Sequence, residues 1–219
     1  MEGPSAPGPL LIACALGIEH AALRRGLGRP GTVTGTEDIR LLRSGMGPQA
    51  ARRALTGALD GESVPGGTAV LATGFCAGLA PGMRPGDLVV ADETRGPEGR
   101  VPCTGAELLA AALTGLAPSR TVHTGPLAGT DHVVRGSERG SLHATGALAA
   151  DMESAATLAT AAAGTARRPV AAVRVVVDAP GHELIRIGTL RGGISAFRVL
   201  RGVLPAFLEW HRSLLLPWR

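Results

Sequence analysis

Short apolar runs alternate along this chain with longer stretches of helical spacing. The runs that predict strands are residues 10–15, 39–43, 68–73, 87–91, 121–123 and 170–178. The Ala-rich stretches that predict helices are residues 49–59, 107–116 and 152–163. This alternation predicts an α/β fold with a mixed central sheet. We expect residues 1–9 to form a flexible tail and residues 10–219 to form a single domain, since no linker or repeat divides them.

The last stretch, residues 194–216, also has apolar positions at helical spacing. Pro205 should kink or divide this helix, because proline lacks the backbone N–H group. Arg198, Arg201 and Arg212 lie among the apolar positions. The stretch is therefore either a closing helix packed on the sheet or a basic, apolar element that touches a membrane surface or a lipid-like substrate.

Composition narrows the class of protein. The 219 residues are 45% hydrophobic and 18% charged, which is typical of a globular domain with a sizeable core. The net charge of +4 comes without a basic run, so we expect no nucleic-acid partner. The three cysteines lack metal-site spacing, so we expect no bound metal. The cysteine usage, an N-terminus unlike a signal peptide and the lack of a long apolar span favour a cytoplasmic location.

The strand predicted at residues 170–178 carries Arg174 in its middle and Asp178 at its end. A buried guanidinium is costly unless a carboxylate or an anionic ligand meets it. Side chains four positions apart on a strand point to the same face. Because ligands of α/β proteins bind outside the carboxyl ends of such strands, this pair predicts a site.

Two other predicted strands end in candidate groups. Glu19 follows the first strand, where a carboxylate can act as a base or simply begin a helix. Gly47 closes a Gly-rich turn before a helix, where backbone N–H groups can hold an anion, although tight connections of this kind are common.

Two further segments have the same double interpretation. The small residues from Gly74 to Gly78 would let a ligand approach the backbone, and Cys76 among them is interpreted as apolar filler. Asp151 and Glu153 flank Met152 at a predicted helix start. These acids either cap the helix or, for Glu153, face ligand hydroxyls with Met152 under an apolar part of the ligand.

In this order along the chain, the segments resemble the nucleoside phosphorylase family, most closely its methylthioadenosine/S-adenosylhomocysteine nucleosidase branch. The segments that carry the resemblance are residues 43–47, 73–81, 86–90, 152–153 and 174–178. Within the family, the chain looks like the hopanoid-biosynthesis-associated phosphorylases, thought to remove adenine from adenosylhopane. That likeness rests on residues 11–19, 178–184 and 192–197.

The resemblance implies a three-layer α/β/α fold and the cleavage of a purine N-glycosidic bond. It implies that Asp178 protonates or hydrogen-bonds N7 of the purine and that Glu19 activates water. Arg174 matches the cation beside the nucleophile. Glu153 matches the residue that binds the ribose hydroxyls, with Met152 beneath the sugar.

The chain departs from the family at two places. Val133 stands where an aromatic residue often stacks on the base, so His132 or Phe75 would have to replace that contact. Ala72 and Phe75 stand where phosphate-binding members carry Arg and Ser, which weakens the case for phosphate as the attacking group.

The remaining implications concern ligands and partners. Gly74 belongs to the expected substrate site, while Arg43 and Gly47 are candidates for a phosphate or water site. No cofactor is implied, and inorganic phosphate stays open as a co-substrate. The family implies a homo-oligomer, commonly a dimer, and the C-terminal segment leaves peripheral membrane contact open.

Three functions remain in competition. The first is release of adenine from an adenosine derivative with a large apolar 5′ group, such as adenosylhopane. The second is a nucleosidase for methylthioadenosine, S-adenosylhomocysteine or futalosine. The third is a non-catalytic nucleoside-binding protein on the same fold.

Overall fold

An eight-stranded mixed sheet forms the centre of the computed structural model, which describes residues 8–28, 38–62, 67–163, 168–181 and 190–214. The strands are β1 (Leu10–Cys14), β2 (Ile39–Arg43), β3 (Ala69–Gly78), β4 (Leu88–Gly96), β5 (Gly99–Pro102), β6 (Val122–Gly129), β7 (Ala149–Asp151) and β8 (Val170–Asp178). The helices are α1 (Gly17–Leu27), α2 (Pro48–Leu59), α3 (Ala106–Leu116), α4 (Ser137–Ala144), α5 (Ser154–Ala162), α6 (Leu190–Gly202) and α7 (Leu204–Ser213).

The sheet is mixed in direction and partly closed on itself. Its strand order is β2-β1-β3-β7-β6-β4-β5, and β8 pairs with both β3 and β4. The β8 strand runs parallel to β3 and antiparallel to β4, while β7 runs antiparallel to β3 and parallel to β6. Thus β8, β3, β7, β6 and β4 form a ring of paired strands, and the mixed sheet is confirmed.

Helices cover both faces of the sheet, which gives the three layers that the resemblance implied. On one face α1 packs on α6 and α3 packs on α7, around an apolar cluster that includes Phe207 and Trp210. On the other face α2 packs on α5, around a second cluster that includes Leu55 and Leu158. The alternating residues of β8 feed both clusters, so this strand is buried on both sides.

Most of the predicted strands and helices are present, but several further elements were not predicted. The predicted bounds of β2 and β8 match the structure, but β3 continues past Thr73 through the small-residue segment to Gly78. The sequence pattern ends the strand before these small residues, whereas their backbone pairs with β8 and β7. The helix α4 and the strands β5 and β7 were not predicted, because segments of 8, 4 and 3 residues show too little of a periodic pattern. The helix α1 entered only as the helix that Glu19 could begin.

The C-terminal stretch is the closing helix pair of the domain. It divides at Val203, and Pro205 stands in the first turn of α7, where proline fits. Phe207 and Trp210 are fully buried, and the indole Nε1 of Trp210 donates to the carbonyl of Thr104 at 2.8 Å. None of the described helices is long and apolar enough to cross a membrane.

Some of the residues named in the sequence predictions lie at the limits of the described chain or outside it. Gly8 and Pro9, placed in the tail, make contacts: the carbonyl of Gly8 lies 2.9 Å from Nε2 of His211, and that of Pro9 accepts from Ala69. Residues 1–7, residues 182–184 of the hopanoid-associated likeness and residues 215–216 of the C-terminal stretch lie outside the described residues.

Packing of α7 into the core makes a testable prediction about stability. Phe207→Ala should destabilise the fold by about 3–5 kcal/mol, since it leaves a cavity under the sheet. Chemical denaturation measures this loss. Glu209→Ala, an exposed change on the same helix, is the matched control and should cost about 0.5 kcal/mol or less. A small effect of Phe207→Ala would contradict the core assignment.

Candidate active site

One cavity of about 240 Å³ collects the carboxylates that the sequence singled out. It opens beyond the carboxyl ends of β1, β7 and β8 and beside the end of β3, as expected for an α/β fold. The residues that line it are Ala15, Leu16, Glu19, Met46, Phe75, Cys76, Ala77, Thr130, His132, Val133, Val134, Arg135, Ala150, Asp151, Met152, Glu153, Val177 and Asp178.

Arg174 lies behind this cavity and is 1% exposed. Its ion-pair partner is Asp151, not Asp178. Its Nε also donates to Oγ of Ser154 at 2.8 Å, and its Nη1 donates to the carbonyl of Thr73 at 2.8 Å. A carboxylate does meet the buried guanidinium, but it comes from β7, and Arg174 is not among the described residues that line the cavity.

The electrostatic field of Arg174 reaches the neighbouring acids. Burial by itself disfavours its charged form, but the carboxylates of Asp151, Glu153 and Glu19 outweigh that effect and raise the pKa of Arg174. The guanidinium therefore stays charged and acts as a fixed positive centre beneath three acids.

The sequence left open whether Asp151 and Glu153 cap a helix or whether Glu153 faces a ligand, and the two acids differ in their contacts. Asp151 accepts hydrogen bonds from the backbone N–H and the hydroxyl of Ser154, at 3.1 and 2.6 Å, and so caps the start of α5 while it holds Arg174. Glu153 instead reaches across to the start of α2, where its Oε1 accepts from the N–H of Gly47 at 2.8 Å. Burial raises the pKa of Glu153, with Arg174 opposing the rise.

Glu19 is buried and accepts three backbone hydrogen bonds. Its Oε2 accepts from Ala15 at 2.9 Å and from Leu16 at 2.8 Å, and its Oε1 accepts from Phe75 at 2.8 Å. Glu19 thus orders the start of α1 and also lines the cavity. Burial raises its pKa, although Arg174 and the three N–H groups act in the opposite direction.

Gly74 is required by the closeness of these charges. Its φ is +137°, and it pairs with Arg174 across β3 and β8. A Cβ at this position would lie 2.5 Å from Oε1 of Glu19 and 2.6 Å from Nη1 of Arg174. Any side chain here would wedge the acid away from the arginine, which explains the glycine in the strand.

Asp178 lies at the end of β8, lines the cavity and is mostly buried. Its Oδ2 forms an ion pair with Nη2 of Arg139, a residue of α4. The sequence pattern did not predict this partner, because it did not predict α4. The two charges of β8 therefore do not pair with each other, and each has a partner from elsewhere in the chain.

Exposed apolar side chains stand at the mouth of the cavity beside the polar His132 and Arg135. Met46 is 61% exposed and Val133 is 54% exposed, and both line the opening. Phe75 lines the interior beside them. The ring of His132 is held between Asp131 and Glu138, with nitrogen-to-oxygen distances of 2.6 and 2.8 Å.

A second cavity of about 330 Å³ adjoins the first. It shares Thr130, His132 and Met152 with it and extends between α2, α5 and the turn at Pro97 and Glu98. Met152 thus lies at the junction of the two spaces. A ligand seated over Met152 has room to extend in this direction.

The structure does not bring together all of the candidate residues. Arg43 is exposed at the end of β2 and is not among the described residues that line the cavity. The N–H of Gly47 is engaged by Glu153. Neither residue therefore forms an evident anion site in this arrangement.

Taken together, the cavity offers acids in distinct environments. Asp178, at the end of β8, lies beside Arg139. Glu19 and Glu153 instead lie near the positive charge of Arg174. Acids placed apart in this way suit general acid–base chemistry on a ligand between them. Within the described part of the chain, no three His, Cys, Asp or Glu side chains are grouped as a metal site.

The sequence matches a known protein family. A family model described as the phosphorylase superfamily matches residues 18–189, which is most of the chain. The matched region contains all of the acids that line the cavity. Among curated proteins, none matches this sequence.

Solved structures share the fold at low sequence identity. A methylthioadenosine/S-adenosylhomocysteine nucleosidase from S. pneumoniae, solved with a transition-state inhibitor, is 24% identical, with a TM-score of 0.71 over 92% of this chain and 98% of that one. The corresponding Helicobacter pylori nucleosidase is 17% identical, with a TM-score of 0.71 over 94% and 99%. A futalosine hydrolase of Helicobacter pylori is 16% identical, with a TM-score of 0.74 over 93% and 98%.

The raised pKa of Glu19 makes a prediction about stability and pH. Its folded-state pKa lies above the ordinary 4.5, so the folded protein takes up this proton at a higher pH than the unfolded chain. The Glu19 contribution to folding stability should therefore grow as pH falls through the raised pKa and level off below about 4.5. Glu19→Gln should remove this contribution.

Urea denaturation of the wild type and Glu19→Gln at a series of pH values measures the difference. Glu107→Gln, at the exposed first turn of α3, controls for the loss of a first-turn acid. A difference between wild type and Glu19→Gln that is constant with pH, or that grows as pH rises, would contradict the assigned environment.

Proposed function

Because this chain belongs to the phosphorylase superfamily, whose enzymes cleave N-glycosidic bonds, we propose that it releases adenine from an adenosine derivative. The observation that carries this proposal is the convergence of Glu19, Glu153 and Asp178 from three separate elements on one cavity. Such a set provides one acid for each side of a glycosidic bond and one for the sugar.

Each acid has a position that suits its role. Asp178 faces the purine and protonates or hydrogen-bonds N7, which makes the base a better leaving group. Glu153 binds the ribose hydroxyls, with Met152 beneath the sugar. Glu19 takes a proton from the attacking water, and the fixed charge of Arg174 stabilises the carboxylates around the reacting centre.

The surroundings of Glu19 favour water over phosphate as the attacking group. Its carboxylate already occupies the backbone N–H groups of Ala15, Leu16 and Phe75, which would otherwise be available to an anion. A phosphate at this point would meet the negative charge of Glu19. Hydrolysis, with no cofactor, is therefore the reaction we propose, and phosphorolysis is the alternative that an assay with phosphate tests.

The exposed apolar side chains at the mouth support a large apolar 5′ substituent. Met46 and Val133 are both exposed and line the opening. Exposed apolar side chains grouped at a cavity mouth mark a binding surface more often than scattered ones do. We propose a lipid-linked adenosine of the adenosylhopane type as the substrate and the ribosyl lipid as the product.

Assembly and membrane contact are further parts of the proposal. We expect a homo-oligomer, most simply a dimer. The exposed Arg198, Arg201 and Arg212 on α6 and α7 provide a basic surface for peripheral contact with anionic lipid, while the apolar faces of these helices stay in the core.

A second candidate is the nucleosidase for small substituents. The neighbouring cavity at Met152 gives room for the 5′ groups of methylthioadenosine, S-adenosylhomocysteine or futalosine. Binding without turnover would instead identify a nucleoside-binding protein. The substrate panel below separates these outcomes.

An adenine-release assay tests the reaction. The panel contains adenosylhopane, methylthioadenosine, S-adenosylhomocysteine and futalosine, each with and without inorganic phosphate. We expect the highest kcat/KM for adenosylhopane, with no phosphate requirement. Asp178→Asn should lower adenine release by about 10²-fold or more, since it removes the acid. If the folded Asp178→Asn protein is active, Asp178 is not the acid that acts on the leaving base.

Substitutions at the mouth test the apolar 5′ group. Met46→Ser and Val133→Ser should each lower kcat/KM about tenfold for an adenosine with a long 5′-alkyl group, because each loses one apolar contact of roughly 1.5 kcal/mol. Turnover of unsubstituted adenosine should change little. Leu108→Ser, an exposed apolar residue of α3, is the control. Equal losses on both substrates would contradict an apolar subsite at the mouth.

A further inference from the structure

The single buried residue of α4 is an arginine. Arg139 is 5% exposed, while the rest of this eight-residue helix is partly or fully exposed. Arginine is almost never buried to this extent unless it is paired. The burial of Arg139 therefore needs a specific reason.

The contacts of Arg139 converge on the wall of the cavity. Its Nη2 forms the ion pair with Oδ2 of Asp178 and lies 3.5 Å from the carbonyl oxygen of Val134. Both Asp178 and Val134 line the cavity, so the guanidinium lies directly behind them. One side chain of α4 thus joins the acid of β8 to the loop that follows β6.

The other two nitrogen atoms of the Arg139 guanidinium lack hydrogen-bond partners among the described residues. Among the described residues, neither Nε nor Nη1 of Arg139 has a hydrogen-bond acceptor, although both are buried. A buried donor without a partner costs about 1–3 kcal/mol, and a buried charge costs more. Stability alone gives no reason to keep this arginine, whereas its contact with Asp178 gives a functional one.

Building on the proposed adenine release, we propose that Arg139 is a positioning residue that orients the Asp178 carboxyl group toward N7 of the purine. It anchors Oδ2 on the side of α4 and links the acid to the cavity wall at Val134. Arg139 itself does not touch the substrate. Its effect on the reaction passes through Asp178.

The departure of the base depends on this orientation. The C1′–N9 bond breaks and its electron pair moves into the purine, while a proton drawn from solvent and held between Oδ1 of Asp178 and N7 passes to N7. The carboxylate that remains on Asp178 faces the charge of Arg139. Water adds to C1′ and gives its proton to Glu19. A misplaced Asp178 would slow only the departure of the base.

A comparison of leaving groups tests this inference. A 4-nitrophenyl riboside releases a phenolate that needs no proton, whereas adenine does. Arg139→Met and Arg139→Gln should lower kcat for adenine release by ~10–100-fold, part of the ~10²–10⁴-fold that general acid catalysis contributes. Both variants should change cleavage of the nitrophenyl riboside by less than about threefold. Arg139→Lys should recover part of the adenine release.

A combined variant shows whether the effect passes through Asp178. The loss in Arg139→Met with Asp178→Asn should equal that in Asp178→Asn alone, because residues that act as a unit are not additive. Arg24→Met, an exposed arginine of α1, is the matched control. Thermal unfolding of every variant shows that the fold is retained, and Arg139→Gln keeps a hydrogen-bonding side chain if Arg139→Met is unstable.

The outcomes separate the two proposals. Equal losses on both substrates, or no loss of adenine release in the Arg139 variants, would overturn the positioning role while adenine release by the wild type stands. A wild-type protein that releases adenine from no member of the panel would overturn the proposed function, and the role of Arg139 would be rejected with it.

Discussion

The buried charge of Arg174 is the constraint on which the site depends. A guanidinium in the middle of a strand that is buried on both sides requires a carboxylate, a hydroxyl and a carbonyl around it, and it receives them from Asp151, Ser154 and Thr73. These partners tie β8 to β7, α5 and β3. Because leaving any one of them unpaired is costly, the elements that carry the cavity are fixed relative to one another.

The charge of Arg174 also affects the two buried acids nearest to the cavity. Glu19 and Glu153 are buried acids whose pKa values rise with burial and are restrained by Arg174. Gly74 is the residue that allows Glu19 to approach the arginine, since a Cβ would contact both. A single cation thus supports two acids, one toward the attacking water and one toward the sugar, in the reaction that we propose.

The opposite end of the cavity is organised independently. Asp178 has its own arginine, Arg139, which comes from a short helix after the cavity-lining loop. In the proposed reaction, the acid assigned to the leaving base and the acids assigned to water and sugar therefore lie beside different cations. This separation lets the environment of each acid be set on its own, as acid–base catalysis on a glycosidic bond requires.

The sequence by itself determined the α/β class and the bounds of β2 and β8, because long apolar runs are local signals. It offered Glu19, Glu153 and Asp178 as candidates, and only the resemblance to a family assigned these acids to one site. Only the tertiary structure decided the partners: Asp151 for Arg174, and Arg139 for Asp178. Ion pairs join residues distant in sequence, and alternation along one strand shows which way a charge points but not what meets it.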